Sequence, residues 1–315
     1  ESAEARERQD VSDTPDDEIE ASRAPLLDHL VELRTRLIRC VVALILGFLL
    51  CFTFSTQIFT LLLHPFSVAA GLLAVRQQEA HTGAFDIMGV LIGAKNMFLV
   101  LAGLKDLPPV PGQVTKLVFT APLEFFFTKV KLAALGGVAL SFPVLAGQIY
   151  AFVAPGLYKK ERRAFLPFLV ASPVLFVLGA AMVYYMILPF VLWFSMSQQI
   201  VGAGNISVDL LPKVSDYFDL VTTLLMAFGL CFQLPVVLTL VGLAGLVSSQ
   251  TLLSGWRYAV VGVFVVAAVL TPPDPISQIL LALPIIGLYF VSIGCVWLIE
   301  RGRKQDEAGT DVAVV

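Results

Sequence analysis

From Leu220 to Trp256 the chain carries no Asp, Glu, Lys or Arg. No other feature restricts the fold as strongly. A helix rises about 1.5 Å per residue, and a bilayer's hydrocarbon core is about 30 Å thick, so about 20 apolar residues cross it. In lipid every backbone N–H and C=O must find its partner within the protein, which leaves helices or a closed barrel. Runs this long read as helices. Cys40–Leu63, Leu132–Leu157 (with Pro143) and Ala164–Gln199 (with Pro167, Pro173 and Pro189) are also uncharged. They read as spans one to three, and Leu220–Trp256, holding Gln233 and Pro235, as span four.

The last part has a different pattern. Tyr258–Leu270 is apolar, but as a helix it reaches only ~20 Å. "TPPDP" (Thr271–Pro275) forces a turn, and Ile276–Ile299, with Pro284, is apolar again. Arg257 precedes this unit, and Arg301, Arg303 and Lys304 follow it. The pattern predicts a hairpin that enters and leaves on one side, with short spans five and six.

Composition agrees. Hydrophobic residues make up 57% of the chain and charged residues 14%. Soluble domains are nearer a quarter charged. Residues 1–24 are the exception, being acidic and poor in large apolar side chains. They read as a disordered cytoplasmic tail, and residues 302–315 as a second tail. The N-terminus lacks an apolar h-region behind a basic start, so it does not read as a cleavable signal peptide. The chain starts at Glu1 rather than Met, which reads as a trimmed or partial sequence.

The positive-inside rule orients the spans. Arg34, Arg36 and Arg39 precede span one, "KKERR" (Lys159–Arg163) joins spans two and three, and Arg301, Arg303 and Lys304 end span six. Six spans with both termini cytoplasmic put all three groups inside. Ile87–Leu104 is nearly long enough to span. Lys95 at its centre, however, would cost about 2.5–3.5 kcal/mol. The segment reads as a surface-lying helix in a long outer loop, 66–120.

Two acids stand among the cations. Glu32 lies in "HLVELRTRL" (His29–Leu37), an amphipathic helix running into span one, and Glu161 lies inside "KKERR". The plain reading is local pairing, Glu32 with Arg36 at i,i+4 and Glu161 with its neighbours, and exposed pairs of this kind contribute little. The sharper reading is an anionic site that grips guanidinium groups in bidentate forks. Gln233 lies mid-span, where an amide needs partners, either within the chain or on a second membrane protein. Asp274 can cap the helix after it, with Gln278 one turn on.

Cys40, Cys51, Cys231 and Cys295 lie in or beside apolar runs and show no CxxC spacing. His29, His64 and His81 show no ligand spacing either, so no metal or cofactor is expected. No Walker loop, GxGxxG, HExxH or GxSxG signature occurs, which argues against an enzyme. No acid stands at the middle of a span, which argues against a proton-relay pump.

Four stretches, in order, resemble the TatC family, the polytopic core subunit of the twin-arginine protein translocase. They are "HLVELRTRL" from His29, "FPVLAGQIYAFVAPGLYKKERR" from Phe142, "MAFGLCFQLPV" from Met226 and "LTPPDPISQ" from Leu270. The similarity runs from about Pro25 to Arg301. It implies an all-α integral membrane protein of six tilted helices in a concave, glove-like arrangement, over residues 25–301. It implies a receptor for signal peptides with an Arg-Arg pair that exports folded proteins using the proton-motive force across the bacterial inner membrane. The partners it implies are TatA- and TatB-type single-span proteins, the signal peptides, the surrounding bilayer and further copies of the chain; nucleic acid is not among them.

Residue by residue, the resemblance matches Glu32 and Glu161 to the two acids of the family's signal-peptide site. Arg34, Phe152, Leu157, Tyr158 and Lys159 match their neighbours. Pro65, Asp274 and Gln278 match positions linked to the outer caps and to translocation. Gln233 stands where many members carry Glu, a position read as a docking point for a partner helix. The competing classes are a proton- or ion-coupled transporter of a small solute and a membrane scaffold without transport.

Overall fold

The structure is a computed structural model that describes residues 15–79, 95–96, 98–100, 104–105, 117–153, 161–197, 200–203, 206–208, 212–270 and 275–312. Helix α1 runs Pro15–Thr53 and α2 Ser55–Glu79. Pro15 suits a first helical position, and "DDE" after it has the acidic composition favoured at a helix's positive end. So the latter part of 1–24, expected to be unstructured, is helical from Pro15. The charge-free run Cys40–Leu63 is also not one span. Its membrane-crossing part belongs to Val31–Thr53. The Thr53 hydroxyl donates back to the Leu49 carbonyl at 3.0 Å. Ser55 and Thr56 follow, so hydroxyls compete with the helical ladder at this point. Helix α2 carries the chain on to Glu79, through the first part of the expected 66–120 loop; most of Ile87–Leu104 lies outside the described residues.

Next come α3 (Glu124–Val153) and α4 (Glu161–Met182), a π-helical turn (Val183–Ile187), and α5 (Leu188–Ser197). The third crossing unit, Leu169–Met196, contains the π turn. A small antiparallel hairpin follows, β1 (Ile200–Ala203) with β2 (Ile206–Val208). Then come α6 (Val214–Cys231) and α7 (Leu234–Leu243), forming a fourth crossing unit, Val214–Leu243. Here the uncharged run misled, because it extends to Trp256 whereas the helix stops at Leu243. Gly245 has a φ of 70°, the left-handed conformation that ends helices. Its N–H bonds the Gly242 carbonyl at 3.0 Å, and the Leu246 N–H bonds the Val241 carbonyl at 3.1 Å. The Ser248 hydroxyl then caps α8 (Ser249–Ser254) by accepting from the Thr251 N–H at 3.1 Å.

Helices α9 (Trp256–Leu270) and α10 (Pro275–Val312) form the expected hairpin, and α10 continues through the second expected tail. Among the described residues five helical segments are long and apolar enough to cross a membrane, while α9 is a shorter apolar helix of 15 residues. Its length is ~22 Å. The amide of Gln278 donates to the Phe264 carbonyl at 3.0 Å and ties the two legs together.

Two devices organise the packing. In the first, α1 and α3 pack antiparallel on small residues. A Cβ on Gly137 would stand 2.8 Å from the Phe48 nitrogen, and one on Gly47 2.8 Å from the Gly137 carbonyl. The Ser141 hydroxyl donates to the Ala43 carbonyl at 2.7 Å. Small residues let backbones approach where lipid supplies no hydrophobic drive.

The second device centres on Pro65, buried inside α2. Proline has no N–H for the carbonyl four residues back, that of Leu61. That carbonyl accepts from the Tyr184 hydroxyl of the π turn at 2.9 Å, and its neighbour at Leu62 accepts from Tyr217 of α6. Around this tie lies the core: Val68 and Ala69 of α2, Ile187 and Leu188, and Phe218, Val221 and Phe228 of α6, all fully buried.

At the break between α6 and α7, Gln233 is bonded within the chain. Its amide nitrogen donates to the Ser172 carbonyl at 3.0 Å, and its oxygen accepts from the Ser172 hydroxyl at 2.7 Å. A Ser172→Ala and Gln233→Leu double-mutant cycle, read by unfolding in detergent, is expected to give a coupling of about 0.6–1.7 kcal/mol. Additive effects would mean that the bond from the Ser172 hydroxyl contributes nothing, since the Ser172 carbonyl is kept in both variants. Gly137→Val is expected to destabilise by roughly 1–3 kcal/mol, because the clash is with backbone that cannot turn aside. An unchanged melting temperature would refute the close-packed α1–α3 seam.

Candidate functional site

Glu32 projects from α1 at the start of the segment Val31–Thr53. Its carboxylate is half-buried against Arg36, whose Nε donates to Oε1 at 3.0 Å and whose Nη2 contacts the same oxygen. The i,i+4 pair read from the sequence therefore forms. Arg34, two residues along the same turn, is exposed.

The antiparallel seam fixes what stands beside Glu32. Ala43 meets Ser141 and Gly47 meets Gly137, so α1 advances as α3 retreats. Going back from Ala43 to Glu32 covers about 16 Å along α1, and going on from Ser141 to Phe152 covers about 16 Å along α3 in the same direction. Glu32 and Phe152, both half-buried, thus lie at one level. Helix α4 begins with Glu161. Only residues 154–160 join α3 to α4, and the Phe142 ring of α3 stacks on Phe176 of α4 at 4.2 Å. The two helices therefore run back along one another, and Glu161 opens α4 on the side where α3 ends. Leu157, Tyr158 and Lys159 lie outside the described residues, as does the Glu161 side chain. The fold brings the level of Glu32, Phe152 and the start of α4 to one end of the helices.

The remaining expected positions stand elsewhere. Pro65 lies in the core, on the helix that follows α1. Gln278 ties α10 to α9, and Asp274 lies outside the described residues. Gln233 has both halves of its amide bonded to Ser172, as in the intrachain reading of that residue.

One residue escaped the sequence reading. Glu124, at the start of α3, accepts from the backbone N–H groups of Thr120 at 2.7 Å and Ala121 at 3.2 Å, and from that of Ser215, in the first turn of α6, at 3.1 Å. One carboxylate so satisfies donors at the starts of two helices, where anions are favoured. A parallel bridge beside it joins Val118 to Lys213. The available signal was an acid soon after a proline, since "TAPLE" sets Glu124 in a first helical turn where anions are favoured, though its Thr stands one residue too far for a capping box. Further along the same pair of helices, Lys131 and Asp219 form an exposed ion pair at 2.7 Å. Among the described residues no group of His, Cys, Asp or Glu side chains gathers as a metal site requires.

This arrangement has known counterparts. The family model for TatC, "Sec-independent protein translocase protein", matches residues 28–284. The Sec-independent protein translocase protein TatC of Magnetococcus marinus is 38% identical over 289 residues, covering 92% of this chain and 90% of its own. That of Escherichia coli is 32% identical over 288 residues, covering 90% and 92%. A crystal structure of the twin arginine translocase receptor TatC in DDM superposes with a TM-score of 0.62 at 30% identity, covering 84% of this chain and 97% of the other. With apolar helices fit to cross a membrane several times and matches along nearly its whole length, this chain is a multi-pass membrane protein of the TatC family, a component of the Sec-independent protein translocase.

Proposed function

We propose that the chain is the receptor for twin-arginine signal peptides and the core of a complex that exports folded proteins. In this reading the Glu32–Phe152–Glu161 end faces the cytoplasm of a bacterium. Six tilted helices, α9 counted as the fifth, form a concave glove in the inner membrane, with both termini cytoplasmic. TatA- and TatB-type single-span partners and further copies of the chain assemble with it, and the proton-motive force drives transport. The role is transport rather than catalysis.

The observation that carries the reading is the α1–α3 register, which sets Glu32 level with Phe152 and on the side where Glu161 begins α4. A carboxylate has two oxygens and about four lone-pair directions. Arg36 approaches Glu32 at Oε1. It holds the carboxylate's rotamer in place, and an incoming guanidinium has only to join or replace a guanidinium already there. Phe152, half-buried at the same level, offers apolar surface to the signal's hydrophobic stretch. In the same reading Arg34, Arg39, Arg301, Arg303 and Lys304 hold their ends of the helices in the cytoplasm by the positive-inside rule. A solute transporter would need a polar mid-span site, and Gln233, the residue available for it, is bonded to Ser172.

Charge-assisted hydrogen bonds contribute ~1.5–3 kcal/mol, so Glu32→Ala and Glu161→Ala are each expected to weaken signal-peptide binding by about 10- to 100-fold. Photocrosslinking from a probe on the signal peptide, beside its Arg pair, reads this while leaving both carboxylates in the parent. A Lys-Lys signal is expected to crosslink less than an Arg-Arg signal, because Lys cannot make the planar fork. Equal crosslinking of both would exclude the carboxylate-fork mechanism, and unchanged export in both Glu variants would point to a scaffold.

A further inference from the structure

A cavity of about 640 Å³ opens between α8 and the last membrane-level turns of α10, apart from Glu32 and Glu161. We propose that it seats an anionic phospholipid, with the phosphate at Arg301 and an acyl chain running down over Trp297, Gly294 and Phe290.

The wall has the polarity gradient of a membrane boundary. The apolar part of α10 ends at Gly302, so Arg301 stands at the interface. Phe290 stands about 16 Å deeper. Between them Trp297, 48% exposed, occupies the level where amphipathic rings concentrate. Leu253 and Phe290 are 54% and 44% exposed, so the cavity opens outward, toward lipid, rather than into the bundle. At Gly294 a Cβ would meet nothing within 4 Å, which leaves room for a chain against the backbone.

Charge selects the headgroup. The Arg301 guanidinium lies 5.4 Å from the Trp297 ring centre and, among the described residues, pairs with no carboxylate. The acid in the lining, Glu300, is engaged elsewhere. One Glu300 oxygen accepts from the Ser249 N–H at 2.8 Å and the other from the Ser249 hydroxyl. Arg257, over the Trp256 ring at 5.9 Å, and the following Arg303 and Lys304 make this end of the hairpin basic. Basic pockets between membrane helices at this level bind anionic headgroups. The geometry disfavours a docked protein helix. The α8 wall has six residues. That is ~9 Å, under a third of the roughly 30 Å a spanning helix presents.

The test uses the full chain with Trp193→Phe and Trp256→Phe, so that Trp297 alone reports. It is placed in vesicles containing phosphatidylglycerol or phosphatidylcholine with brominated acyl chains. Bromine quenching of Trp297 is expected at several-fold lower mole fraction of phosphatidylglycerol, because both lipids carry the phosphate but phosphatidylcholine adds a cationic ammonium that this basic end repels. Arg301→Gln, at an exposed position, should abolish that preference, and Arg301→Lys should keep part of it. Gly294→Leu should block quenching by both lipids by filling the groove. Equal quenching by the two lipids in the parent, or an unchanged preference in Arg301→Gln, would overturn the proposal. So would loss of the preference on adding soluble glycerol phosphate, which would make this a site for free phosphate rather than lipid.

Discussion

A backbone carbonyl that loses its helical donor inside a membrane has no water to turn to. Much of this fold follows from where prolines create that condition and what answers it. At Pro65 the released Leu61 carbonyl takes the Tyr184 hydroxyl, and Tyr217 secures its neighbour. These bonds join α2 to the π turn and to α6, and the buried core forms around them. Pro235 marks the α6–α7 junction, where the chain turns at Phe232 and Gln233 and the Gln233 amide closes on Ser172. At Pro65 a proline that would weaken a soluble helix frees a carbonyl for another element to hold.

The other seam joins close backbone approach to a single hydroxyl bond, from Ser141 to the Ala43 carbonyl. Along α1 and α3, contact comes from the absence of side chains at Gly47 and Gly137. Much of α1 remains exposed to the surroundings: Val31, Leu37, Ile45 and Leu46 are all outward. It is fixed mainly through one face. That face nevertheless sets the register that brings Glu32 to the level of Phe152.

The sequence revealed the number and placement of apolar runs well, because charge is excluded from hydrocarbon at an energetic cost any reader of the chain can see. The short α9 was visible for the same reason, as was the Glu32–Arg36 pair, since both partners lie on one turn. Helix ends were less legible. Leu220–Trp256 has no charge, but Gly245 and Ser248 end one helix and start another, and hydropathy does not distinguish an apolar turn from an apolar helix. Cys40–Leu63 failed at Thr53 and Ser55 in the same way. Contacts between distant segments were not legible at all. Nothing local in "TAPLE" indicates that Glu124 will also hold Ser215. For Gln233 the sequence offered two destinations, and only tertiary packing chose Ser172.

Glu124 and the Val118–Lys213 bridge also bear on how such proteins diverge. Together they staple the chain, just before α3, to the start of α6, independently of what precedes residue 117. Between Glu79 and Leu117 the described residues touch the core at Val100, which is buried, so the chain is held there as well as at Val118. Lengthening a tether between fixed posts adds closure entropy only logarithmically. Lengths of chain between such held points can be resized, generation after generation, while the helices they join keep their geometry.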